Sequence, residues 1–354
     1  MDYMDELFAQ REHFINAFYA TKQNADDNRN KLIACAYQLS RQQDSLFSNN
    51  DVAVVLSILA KDKTISETRI LLILQLYVHL YDNADLLIDG LYQNNSSVQQ
   101  KLAPKLALIL GIKDIPLSLS YNEEVLNAHL LACYFRQDFD GLSAFSHSFS
   151  EQVTPLTRLY LNVLNKTATF EQLLLNEFIG NDYLNSELFE LYVISLPLDS
   201  LVTLIEQLSS NSSSEFINVI IKVIGLTGYS QYIPLLARYL QDKSYALVAH
   251  HALRTIMGEG LDKLIPEHIQ FNSDEIERVQ DLPYYGAKIL HHWDTHLVST
   301  LPEQLLSGLS ITEANLDLLL QTGSQVHRRV AALHKTQYPN ISSFFYYSCP
   351  EVVL

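Results

Sequence analysis

Apolar residues recur at helical spacing almost throughout this chain, while the alternation of a half-buried strand is hard to find. A chain whose burial pattern repeats every three to four residues must place its core between helices. Stretches such as "SETRILLILQLYVHLY" and "SEFINVIIKVIG" carry that period, and small polar residues, Pro or Gly interrupt it at "QNNSS", "GIKDIPLSLSYNEE", "LSSNSSSE", "QDKS" and "FNSDEIERVQDLPYYG". Short connections between helices of about ten to fifteen residues imply antiparallel neighbours, and hence hairpins stacked side by side. The expected fold is all-α, an α-solenoid of stacked antiparallel helical hairpins.

Small residues at three- and four-residue spacing sharpen this expectation. In "SYALVAHHALRTIMGEG", Ala246, Ala249 and Leu253 share one helix face, flanked by Val248, Ala252 and Ile256. Alanine there lets a neighbouring backbone approach, with leucine and isoleucine filling the adjacent holes, so that face should be buried. Gly225, Gly228, Gly258 and Gly260 are expected to end helices, and Pro234 to sit in a first turn, where its missing N–H costs nothing.

The passage "GLTGYSQYIPLLARYLQDKSYALVAHHALRTIMGEGL" resembles a HEAT repeat. Together with "QTGSQVHRRVAALH" and "LFAQREHFINAFY" it is similar to a largely uncharacterised family of bacterial HEAT-repeat proteins, sometimes encoded near type VI secretion genes. That resemblance implies a scaffold and carries no catalytic motif. Repeats of roughly 40 residues would allow about eight units. Residues 1–120 form the expected N-terminal helical part, 121–282 the central HEAT-like repeats, and 283–354 the C-terminal helices with an aromatic capping tail. All three are expected to join in one continuous solenoid.

Of the 354 residues, 48% are hydrophobic and 18% charged, which suits a folded chain with a large core. The 40 acidic residues against 24 basic give a formal charge of −16 with no basic run, so nucleic acid is not an expected partner. A basic protein partner is the electrostatic complement. The acidic, amphipathic start "MDYMDELFAQREHF" does not read as a secretory signal, and no apolar stretch reads as a membrane helix. Cys35, Cys133 and Cys349 form neither a CxxC pair nor a disulfide framework, which fits a reducing, cytoplasmic setting.

Candidate chemistry is sparse. His250 and His251 are adjacent on a helix and point about 100 degrees apart, which suits packing or surface roles better than a shared metal. In "HHWDTH", His292 and His296 are four apart, with His291 and Asp294 near, but a metal would need a further ligand from another helix. Trp293 reads as an anchor for the C-terminal helices or a platform for a partner. No Walker loop, GxGxxG or GxSxG occurs, and Glu123, Glu124, Glu187 and Glu190 read as solvated helix-surface acids. Phe344, Phe345, Tyr346 and Tyr347 cluster in the tail, either capping a solenoid end or anchoring a partner.

No catalytic, cofactor-binding or metal residue is assigned; Trp293 and the four tail aromatics are the partner-binding candidates. The expected function is a non-enzymatic protein–protein interaction module, an immunity protein or an effector adaptor, whose partner is a basic toxin or a secretion component. The alternative is an enzyme on a helical solenoid, such as a HEAT-like DNA glycosylase or a prosthetic-group lyase. A deep pocket with converging polar groups would favour the enzyme, and a broad groove the module.

Overall fold

The computed structural model describes residues 2–15, 17–42, 44–61, 65–94, 96–112, 121–149, 152–165, 172–210, 214–293 and 301–338. Those residues are mostly helical, with two strands of two residues each, as the periodicity leads one to expect. They divide into two compact units, Met1–Asn165 with Ser324–Ala332, and Lys166–Gly323 with Leu333–Tyr338.

The first unit comprises α1 (Asp2–Ile15), α2 (Lys22–Arg41), α3 (Val52–Lys61), α4 (Glu67–Tyr81), α5 (Ala84–Tyr92), α6 (Ser97–Gln100), α7 (Leu102–Ile109), α8 (Glu123–Phe135), α9 (Phe139–Phe149) and α10 (Pro155–Leu164). Their starts follow capping chemistry. The Ser66 hydroxyl accepts from the Arg69 N–H at 3.2 Å, Asn122 from Val125 at 3.0 Å, and Thr154 from Thr157 at 3.2 Å. α2 is a surface helix that buries only the stripe Ala25, Asn28, Leu32 and Ala36. α8 is the opposite case, buried at every position from Val125 to Phe135. It lies against α7, α9 and α10, so apolar residues occupy most of its circumference, with Asn127 and His129 buried among them.

The second unit comprises α11 (Gln172–Gly180), α12 (Glu187–Ser195), α13 (Leu198–Ser209), α14 (Ser214–Thr227), α15 (Ile233–Leu240), α16 (Ala246–Met257), α17 (Glu267–Gln270), α18 (Glu275–His292) and α19 (Glu313–Thr322). Strands β1 (Leu305–Leu306) and β2 (Leu309–Ser310) pair antiparallel between α18 and α19. The last helix, α20 (Gln325–Lys335), gives residues to each unit. In the first unit the Gln325 N–H donates to the Ala20 carbonyl at 2.7 Å, and in the second His334 Nε2 donates to the Leu226 carbonyl at 2.8 Å.

The small-residue face of α16 is buried as its pattern requires, with Ala246, Ala249, Leu253 and Ile256 all inaccessible. Pro234 sits in the first turn of α15. Gly225 departs from expectation, because α14 continues past it to Thr227 and ends before Gly228. Its work is packing: a β-carbon there would stand 2.9 Å from the Ala252 methyl of α16. The segment "EIERVQDLPYYG" is likewise no break. The Asp274 side chain accepts from the Ile276 and Glu277 N–H groups and starts α18, which runs through Pro283. Leu282, Gly286 and Ile289 bury that helix, and a β-carbon on Gly286 would fall 2.5 Å from the Ala237 carbonyl of α15. Tertiary packing overrides the local signal of the proline.

The two-residue turn of the β1–β2 hairpin also finishes α16. Ser307 and Gly308 both have positive φ, the geometry of a primed hairpin turn. Their N–H groups donate to the Thr255 and Ile256 carbonyls at 2.8 and 2.7 Å, satisfying acceptors that a helix end leaves open. Gly258 follows with φ of 55°, and a β-carbon there would lie 2.6 Å from the Ser307 carbonyl oxygen. Only glycine fits that junction.

Candidate functional site

A cleft of about 520 Å³ opens on the first unit, between α1, the α2–α3 connection, α3 and the start of α4. Its volume falls within the range of pockets that hold small ligands. α1 supplies Met4 and Phe8, one helical turn apart and buried, and α4 supplies buried Ile73. Half-buried Leu39, Leu46, Ile58 and Ile65 complete an apolar floor.

The wall from the α2–α3 connection is held by one carboxylate. Asp44 Oδ1 accepts from the Leu46 and Phe47 N–H groups at 2.9 and 3.1 Å, an Asx turn that sets both side chains. The Tyr81 hydroxyl donates to the Phe47 carbonyl at 2.6 Å and ties the turn to α4. Across the cleft, the Ser66 hydroxyl donates to Glu12 at 2.8 Å while accepting the capping bond of α4. Arg69 pairs with Asp5, and its guanidinium lies 4.7 Å from the centroid of the Phe8 ring.

Among the described lining residues the rim carries three carboxylates, Asp5, Glu12 and Asp44, against one guanidinium that is already engaged. Among the described lining residues there is no Cys, His, Lys or Tyr, so no hydroxyl or thiol has an imidazole beside it. The arrangement can take up apolar side chains and attract positive charge at its border.

Shifted titratable groups gather elsewhere and serve packing. On α8, His129 is fully buried and stacks with Tyr121 at 4.9 Å and with Tyr92 at 5.4 Å. Its Nε2 bonds the Tyr92 hydroxyl at 2.8 Å. Burial, helped by the Arg136 charge, holds the imidazole down at about 4, and burial pushes the neighbouring Cys133 thiol up to about 11. In the second unit, Gln270 Nε2 donates to Asp262 at 2.8 Å and to the Ile265 carbonyl at 2.7 Å. That fixes its Oε1 as the acceptor for His250 Nε2 at 3.0 Å. Arg254 pairs with Asp262 and stacks 5.2 Å over Phe271. Burial keeps His250 neutral, down at about 4. Among the described residues no group of three or more His, Cys, Asp or Glu could hold a metal.

The histidines marked in the sequence separate accordingly: His250 is buried in this network and His251 is exposed. His291 lies exposed and His292 half-buried at the end of α18, while Asp294 and His296 lie outside the described residues. Trp293 caps the C-terminus of α18 and is half-buried. Phe344, Phe345, Tyr346 and Tyr347 lie outside the described residues. None of the described residues among these, His250, His251, His291, His292 and Trp293, lines the cleft, whose described walls come from four separate parts of residues 4–73. One signal for it was present: the acidic, amphipathic start of the chain is the α1 wall. No helix among the described residues is long and apolar enough to cross a membrane. No protein-family model, curated protein or solved structure matches the chain.

Proposed function

We propose that this chain is a non-enzymatic protein-binding module, built from HEAT-like antiparallel helical hairpins, that holds a protein partner in the α1–α4 cleft. The observation that carries this reading is the cleft itself, an apolar floor between Met4 and Ile73 bordered by carboxylates, with no Cys, His, Lys or Tyr among its described lining residues. Packed helices preform such a surface, so binding orders little backbone and most apolar contact contributes to affinity. In this reading the partner is a basic effector or toxin, and the chain is its immunity protein or loading adaptor. The acidic balance supports that choice by electrostatic steering.

Copurification with the tagged full chain, run beside a Leu46→Asp variant, tests the reading. One stoichiometric protein held by the wild type and lost from the folded variant supports it. A protein held equally by both would place binding elsewhere, and a partnerless chain that turns over small substrates would overturn the module.

A further inference from the structure

The proposed binding function leaves open what chemistry the cleft selects, and the balance of its floor against its rim bears on this. We infer that the cleft takes an amphipathic segment of a partner protein, with an apolar side chain on the floor and a lysine or arginine directed to Glu12 and Asp44. This inference rests on the protein-binding reading above.

Arg69, the one cation among the described lining residues, is committed twice, to Asp5 through an ion pair and to the Phe8 ring through its guanidinium face. It is thus poorly placed to receive an acidic group. The two remaining carboxylates differ in kind: Glu12 accepts one hydrogen bond from Ser66, and Asp44 accepts two backbone N–H bonds through Oδ1 alone. An ionised carboxylate offers about four lone-pair sites, so each keeps acceptor capacity beyond these bonds. A guanidinium or ammonium entering there gains charge-assisted hydrogen bonds. An acidic segment would meet like charge on both sides of the floor. Half-buried Leu39, Leu46, Ile58 and Ile65 offer the apolar contact that anchors it.

Two substitutions remove the charge and leave the local structure in place. Asp44→Asn keeps the Oδ1 acceptor that builds the turn to Phe47, and Glu12→Gln keeps an acceptor for the Ser66 hydroxyl. Short random peptides displayed on phage are selected on the full chain, and the enriched sequences are synthesised for fluorescence titration. The expected peptides pair an aromatic or aliphatic residue with a nearby Lys or Arg. Their affinity falls about two- to fivefold for each rim substitution, as exposed ion pairs do, falls further as salt is raised, and is lost on Leu46→Asp.

Peptides that need Leu46 but show no basic residue, or bind the Asp44→Asn, Glu12→Gln double variant unchanged, overturn the inference and leave the binding reading standing. Peptides bound equally by Leu46→Asp also overturn the inference by placing contact off the cleft. If that variant misfolds by circular dichroism, the double variant decides alone. Absence of any enriched peptide counts against the inference and the reading together.

Discussion

The guanidinium of Arg69, near the start of α4, lies over the ring of Phe8 on α1, 4.7 Å from its centroid. The same guanidinium pairs with Asp5, one turn before Phe8 on α1, so a single side chain joins both helices at the edge of the cleft. The ring is 3% exposed, which makes it the larger contributor of the pair.

Phe8→Ala should therefore destabilise the first unit by about 3–5 kcal/mol, the range for losing a buried aromatic ring. Arg69→Met should cost only about 1 kcal/mol, because it keeps an apolar stem while losing a half-exposed ion pair and a cation–π contact. Urea unfolding followed by circular dichroism measures both. Equal costs would show that the charge, not the ring, holds α1 against α4.

The hairpin turn at Ser307 and Gly308 yields a paired prediction on glycines. Gly258→Ala combines a positive φ with a β-carbon 2.6 Å from the Ser307 carbonyl, and should cost about 2–4 kcal/mol. Gly260→Ala meets nothing within 4 Å and should change stability by less than about 0.5 kcal/mol. Thermal melting of the two variants checks the contrast; comparable losses would contradict the role assigned to the junction.

Acid should unfold the protein through its buried histidines. Burial lowers His129, His250 and His334 from the ordinary 6.5 to about 4, with Arg136 adding to the effect at His129 and Arg254 and Arg278 at His250. Between those values the unfolded chain binds protons that the folded chain refuses, so stability rises with pH across the window and falls on acidification from 6.5 towards 4. Each imidazole contributes roughly 3 kcal/mol to that loss. Melting midpoints measured from pH 7.5 down to 5 should fall steeply. His334→Gln, which keeps a donor for the Leu226 carbonyl, should flatten the slope, and an unchanged slope would remove His334 from the account.

The sequence carries some of this plainly and some of it not at all. The buried face of α16 was legible because Ala246, Ala249 and Leu253 follow the helical period, and that period is set by the backbone alone. Gly225 and Pro283 misled for one reason. A glycine can end a helix or admit a close neighbour, and a proline can break a helix or be carried by packing, and only Ala252 and α15 decide between them. The hairpin at Leu305–Ser310 hid because its strands have two residues each, too short to show alternation. The cleft hid for a different reason: Met4, Leu46, Ile58 and Ile73 each read as ordinary core residues, and their meeting around open space is a property of packing.

Photo-crosslinking in the native host tests the central claim most directly. A benzophenone amino acid is placed at Leu46 in the cleft of the full chain and, as a control, at Leu318, which is 49% exposed on α19. The account predicts one discrete protein adduct from position 46 that disappears when Ile58→Asp is added, and none from position 318. Equal products from both positions, or no adduct from the cleft while the partner still copurifies, would contradict it.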